Sequence, residues 1–262
     1  MARAGERHET TIGAGPAGYE AELADLADAT PETMAGYLTA HSGLPGPRAN
    51  LALADAFAAV APADLVRQLV GSADEFLAFC ATEALGRLCL SPAERTGALV
   101  ELRRAAADPR WRVREGAARA LQLLGDADPD LLYPVIDEWA SAADPWLARA
   151  AVAAICEPRL LHEPPAQELA LHACDRATAL LLGAPLPAQA PAAEREAHRV
   201  LRVALGYTWS VAIAASPEAG LAAFRALAAR DEPDARWIVR SNLTKKRLRS
   251  VVSERNLWGL FG

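Results

Sequence analysis

Asp108-Pro109-Arg110-Trp111-Arg112-Val113-Arg114 and, far along the same chain, Asp234-Ala235-Arg236-Trp237-Ile238-Val239-Arg240 carry Asp, Arg, Trp, Val and Arg at identical offsets. Self-similarity of this kind marks a chain built from repeated supersecondary units. Asp74 and Asp144 open comparable segments on either side of Asp108, and Ser91 and Asp128 stand between them. The pattern is a tandem two-helix unit of about 35 residues. One such unit cannot bury its apolar face alone, so neighbouring units must complete the core.

The punctuation between these points specifies helices. A capping residue stands before a proline at Thr30-Pro31, Ser91-Pro92, Asp108-Pro109, Asp128-Pro129, Asp144-Pro145 and Ser216-Pro217. Ser, Thr or Asp accepts an orphan backbone N–H at the N-cap, and proline loses nothing at the first helical position. Apolar residues then recur at steps of three and four: Phe76, Phe79, Cys80, Ala84, Leu85 and Leu88 on one face, Val113, Ala117, Leu121 and Leu124 on another. Leu201, Leu205, Trp209 and Val211 form a third apolar region that is harder to phase. Alanine is abundant, and no alternating run of strand formers exists. The expectation is an all-α chain of about a dozen helices with short loops.

At these residues the chain resembles a HEAT-repeat protein. In that family the second helix of a unit opens with Asp and carries Arg six residues later, a pair that ties loop to helix. Asp108 with Arg114 and Asp234 with Arg240 match, whereas Asp144 with Arg149 is one residue short. More narrowly, residues 41–54 (HSGLPGPRANLALA), 108–122 (DPRWRVREGAARALQ), 198–208 (HRVLRVALGYT) and 234–248 (DARWIVRSNLTKKRL) resemble a group of uncharacterised bacterial HEAT-repeat proteins. The resemblance covers roughly residues 30–248. It implies an α-α superhelix of stacked helix pairs in one elongated domain, and it implies no chemistry.

The expected organisation is a flexible leader over 1–18, a repeat domain over 19–248 and a C-terminal tail over 249–262. Gly13, Gly15 and Gly18 match the dinucleotide-binding G-x-G-x-x-G, but Arg7-His8-Glu9-Thr10-Thr11 before them make no buried strand. No cofactor is expected. In the tail, Leu257, Trp258, Leu260 and Phe261 either fold back to cap the last repeat or serve as a docking peptide.

Catalytic and metal chemistry find little support. The cysteines Cys80, Cys89, Cys156 and Cys174 form no Cys-x-x-Cys pair and read as buried thiols. His8, His41, His162, His172 and His198 never pair at i, i+4, so no metal is expected. The net charge of −6 disfavours a dedicated nucleic-acid binder. No apolar run is long enough to cross a membrane, and the cytoplasm is the expected location.

The arginines leave two readings open. Residues 103–119 are Arg-rich, and residues 236–255 hold Arg236, Arg240, Lys245, Lys246, Arg247, Arg249 and Arg255 against Glu254 alone. Arg110, Arg112, Trp139, Trp146, Arg149, Lys245, Lys246, Arg247 and Arg249 are therefore the candidate binding surface. The leading expectation is a non-catalytic scaffold that holds an unknown protein or peptide in a concave groove. The alternative is a DNA-binding protein resembling the HEAT-like alkylpurine DNA glycosylases, with Asp137 or Asp144 as the catalytic carboxylate.

Overall fold

The computed structural model describes residues 16–26, 29–183, 186–187 and 189–255. Among these residues there are fourteen α-helices, one short 3-10 turn and no strand. The helices are α1 (Pro16–Asp25), α2 (Pro31–Ala40), α3 (Leu51–Val60), α4 (Ala63–Leu69), α5 (Glu75–Leu88), α6 (Arg95–Ala106) and α7 (Trp111–Ala127). They continue with α8 (Pro129–Ser141), α9 (Pro145–Ile155), α10 (Pro164–Gly183), α11 (Ala192–Ala215), α12 (Pro217–Ala228), α13 (Pro233–Leu243) and α14 (Lys246–Glu254). None of the described helices is long and apolar enough to cross a membrane.

Contacts between helices follow their parity. Each odd-numbered helix from α1 to α13 touches the next odd-numbered one, most extensively α5 on α7. From α4 onward, the even-numbered helices lie against odd ones: α6 on α5 and α7, α8 on α7 and α9, α10 on α9 and α11, α12 and α14 on α11 and α13. The apolar stripes explain this arrangement. Phe76, Phe79, Cys80, Ala84 and Leu85 of α5 are fully buried, as are Val113, Ala117, Leu121 and Leu124 of α7 and Leu201, Leu205 and Trp209 of α11. Each buried large aliphatic or aromatic side chain contributes about 2 kcal/mol of transfer free energy. Alanines at the helix–helix seams let the backbones close up.

Asp74, Asp128, Asp144 and Thr30 cap α5, α8, α9 and α2 with their side chains, accepting from Phe76, Leu131, Trp146 and Thr33 N–H respectively. Ser216 holds the cap position of α12 without a side-chain bond. Two expected starts fall short of their helices. Ser91-Pro92 lies in a turn before α6, and Asp108-Pro109 lies in a turn before α7. Asp108 does not cap α7 because Arg110 takes its carboxylate first, through the backbone N–H at 2.8 Å and the guanidinium at 2.9 and 2.8 Å.

The expected boundaries are also crossed by helices. α1 begins at Pro16, inside the expected leader, and buries Tyr19 and Leu23. α14 runs past residue 249 and buries Val252. Gly13, Gly15 and the tail residues Leu257, Trp258, Leu260 and Phe261 lie outside the described residues.

Candidate binding site

The two copies of the opening motif dock on the preceding odd-numbered helix by different means. In the first copy, Arg112 on α7 reaches Glu75 on α5 at 2.9 Å and lies over the Trp111 ring. Gly116 lets the helices close, since a Cβ there would stand 3.0 Å from the Phe79 carbonyl oxygen. In the second, the helix starts one residue before Asp234, so its carboxylate sits within the first turn of α13. It meets Arg202 of α11 at 2.6 Å and His198 at 3.6 Å. Trp237 lies under Arg202 and against Gly206 of α11. Asn242, fully buried, donates to the Leu205 carbonyl and accepts from the Ser210 N–H, entering the backbone ladder of α11.

The expected Asp–Arg pairs are therefore rearranged. Arg114 donates to the backbone carbonyls of Asp108 at 2.6 Å and Pro109 at 2.9 Å, not to the Asp108 carboxylate. Burial raises the Asp108 pKa, but the Arg110 hydrogen bonds outweigh it and hold the carboxyl below its ordinary value. Arg240 is exposed and has no hydrogen bond or ion pair with a described residue, because Asp234 faces α11 instead.

A cavity of about 140 Å³ opens where α7, α9 and α11 meet. Its lining is Trp111 and Arg114 from α7, Arg149 from α9, and Arg199, Val200, Val203, Ala204 and Tyr207 from α11. Arg114 is only 6% exposed, and its guanidinium lies over the Trp146 ring at 5.1 Å. Arg149 donates to the Arg114 backbone carbonyl at 2.8 Å, its only hydrogen bond among the described residues. Among the described residues, no carboxylate lies within ion-pair distance of Arg149, and the nearest to Arg114 is Glu196 at 3.9 Å, itself held by Arg199 at 2.7 Å. Burial and the neighbouring Arg149 charge lower the Arg114 pKa, and burial lowers that of Arg149. At the rim, Trp111 is 53% exposed, Val203 46% and Tyr207 37%. The site is thus two crowded cations beside an apolar wall and two aromatic rings.

No family model matches the chain, nor does any curated protein or solved structure. What the site can do rests on its own geometry.

Four other arginines on or beside the odd-numbered helices are held by carboxylates, while Arg87 and Arg195 meet only backbone carbonyls and Arg240 stays exposed. Arg110 is held by Asp108, Arg112 by Glu75, Arg119 by Glu83 and Asp55, and Arg202 by Asp234. Burial raises the Glu83 pKa to about 8 against the pull of Arg119, and Glu83 Oε1 has no hydrogen-bond partner among the described residues.

The residues of the glycosylase alternative are dispersed. Trp139 is a core residue of α8, 1% exposed. Asp144 spends its carboxylate on capping α9. Asp137, exposed on α8, faces His172 of α10 at 3.6 Å. Lys245, Lys246, Arg247 and Arg249 lie at and after the start of α14, and Lys246 and Arg249 line a shallow hollow with Ser250, Ser253 and Glu254. Among the described residues, no three His, Cys, Asp or Glu side chains cluster as a metal would require.

Trp111, Tyr207 and Arg199 were not singled out from the sequence as a group. Their letters stand within the phrases DPRWRVR and HRVLRVALGYT, but only packing shows that these phrases meet and that Trp111 and Tyr207 stay exposed.

Proposed function

We propose that this chain is a HEAT-like α-α superhelix that works as a non-catalytic binding scaffold for a protein or peptide. The observation that carries the reading is the Arg114–Arg149 cleft, where cation, aromatic and apolar surfaces converge on one row of helices. Interfaces are enriched in these residue types, with Trp, Tyr and Arg as the anchors. The unbroken contact of odd-numbered helices supports the stacked-repeat reading, because each helix pair completes the core of its neighbour. The neutralised arginines favour a protein partner over a nucleic acid. A polyanion needs a continuous basic track, and around this cleft Arg110, Arg112 and Arg202 are already held by carboxylates.

Cross-linking within the native cell, followed by affinity capture, nuclease treatment and mass spectrometry, tests the proposal. The expected result is a protein that survives nuclease treatment and cross-links to α7, α9 or α11. Capture of nucleic acid alone overturns it.

The second reading, binding of nucleic acid, keeps one favouring observation: Lys246, Arg247 and Arg249 are exposed on α14 with no ion pair to a described residue. A short DNA duplex titrated at several salt concentrations decides it. Tight binding whose salt slope falls in the Arg247→Ala, Arg249→Ala variant supports DNA, and weak salt-insensitive binding removes it.

A further inference from the structure

We propose that the Arg114–Arg149 cleft takes a single carboxylate, presented by an acidic side chain next to an apolar residue on a partner peptide; this rests on the scaffold reading above. Three features of the cleft carry the inference.

The first is charge. Arg114, Arg149 and Arg199 line the cavity, and the anions near it are Glu115 and Glu196, apart from Asp108, which Arg110 neutralises. Glu196 is committed to Arg199 through two hydrogen bonds of 2.7 Å each. Three cations against two anions leave one positive charge over, which matches a monoanion.

The second is hydrogen-bonding capacity. A guanidinium has five N–H donors in a fixed fork suited to a carboxylate. Arg149 uses one of its donor groups, toward the Arg114 carbonyl. Arg114 uses Nη1 for two loop carbonyls, while Nη2 has no ion-pair contact closer than Glu196 at 3.9 Å. The loop carbonyls and the Trp146 ring fix Arg114 in position, so its free edge is held ready without further ordering. The two like charges repel each other in a partly dehydrated site, and a carboxylate between them relieves that repulsion.

The third is shape and polarity. A cavity of about 140 Å³ holds a carboxylate with its adjoining methylenes and excludes a folded helix or a base pair. Val200, Val203 and Ala204 supply an apolar wall for the neighbouring side chain, and Trp111 and Tyr207 bracket it at the rim. A nucleic-acid phosphate would bring further charges to a face where Arg110, Arg112 and Arg119 are already paired.

The test is a titration of the full chain, with the arginine Nε–Hε signals followed by NMR. The probes are the peptide acetyl-Ala-Leu-Glu-Phe-Ala-amide, the same peptide with Gln in place of Glu, inorganic phosphate and a short DNA duplex. The expected result is that the Glu peptide shifts the Arg149 and Arg114 signals and binds at least tenfold more tightly than the Gln peptide. Arg149→Gln should remove that tenfold preference, and Trp111→Ala, at an exposed position, should weaken the Glu peptide several-fold without lowering the melting temperature. Arg149→Lys, which keeps the charge but loses the fork, should fall between.

Equal binding of the Glu and Gln peptides overturns the proposal, as does phosphate or DNA binding more tightly at the same two arginines. Failure here is separable from failure of the scaffold reading. A captured protein that cross-links to α7, α9 or α11 and survives Arg149→Gln leaves the scaffold standing and removes the carboxylate. A carboxylate preference with no captured protein does the reverse.

Discussion

The segments 108–116 and 234–242 share Asp, Arg, Trp, Val and Arg, yet the fold uses them in opposite ways. In the first, Asp108 stays in a turn, Arg114 is buried against Trp146, and Trp111 is left exposed at a cleft. In the second, Pro233 starts the helix early, Asp234 and Trp237 dock on α11, and Arg240 faces outward. At the same offset stand Gly116, which permits close approach to α5, and Asn242, which bonds into α11. Identical letters open α7 and α13; the residues between and after them decide which become core and which stay open to solvent.

The largest effect expected from this contrast is at Asn242. Asn242→Ala leaves the Ser210 N–H and the Leu205 carbonyl without their buried partner, at a cost of about 3 kcal/mol. For a chain of this size that lowers the melting temperature by roughly 6–12 °C. A shift under about 2 °C in a thermal melt breaks the comparison on its second side.

Gly116→Asn places the second segment's residue in the first. Its side chain meets the Phe79 carbonyl oxygen at 3.0 Å and the Thr82 Cβ at 3.2 Å, and overpacking of this kind costs about 2 kcal/mol. A neutral result in chemical denaturation would mean that α5 and α7 separate more easily than their contact implies.

Arg114→Ala and Arg240→Ala sharpen the same contrast. The first leaves the Asp108 and Pro109 carbonyls without a donor and should cost about 2 kcal/mol. The second, at an exposed arginine, should stay within about 0.5 kcal/mol. Equal costs would restore the symmetrical Asp–Arg pairing that the sequence predicts.

A pH-dependent effect is expected at Asp108. Its carboxyl sits below its ordinary value in the folded chain, so it stabilises the fold above the unfolded-state pKa, and that contribution is lost as pH falls through the folded one. Asp108→Asn should lower stability at neutral pH by at most about 1 kcal/mol and leave low pH little changed, so that the acid limb flattens. An unchanged acid limb would show that Arg110 does not govern this group.

These contrasts mark how far the sequence could be read. Helix class and most starts were legible because capping and apolar spacing are local: Asp74, Asp128, Asp144 and Thr30 all cap as their Ser/Thr/Asp chemistry dictates. The Asp108 start was misplaced because competition from Arg110, two residues away, is not visible in the cap signature. The cleft was half legible. Arg149 and Trp146 stood out among the candidate residues, and Arg114 stood out as a structural arginine. Their union with Tyr207 and Val203 is a long-range event, since α7, α9 and α11 come together only through packing. The basic count over 236–255 was real but not uniform, since Arg236 pairs with Asp231 at 2.7 Å while the α14 cations face outward.

The most direct measurement compares capture by three forms of the full chain: the native sequence, Arg149→Gln, and Arg247→Ala with Arg249→Ala. Each is quantified by mass spectrometry after nuclease treatment. The account predicts a protein retained by the native sequence and by the α14 variant and depleted at least tenfold by Arg149→Gln. Retention by Arg149→Gln with loss in the α14 variant would contradict it and move the binding surface from the α7–α9–α11 cleft to the C-terminal helix.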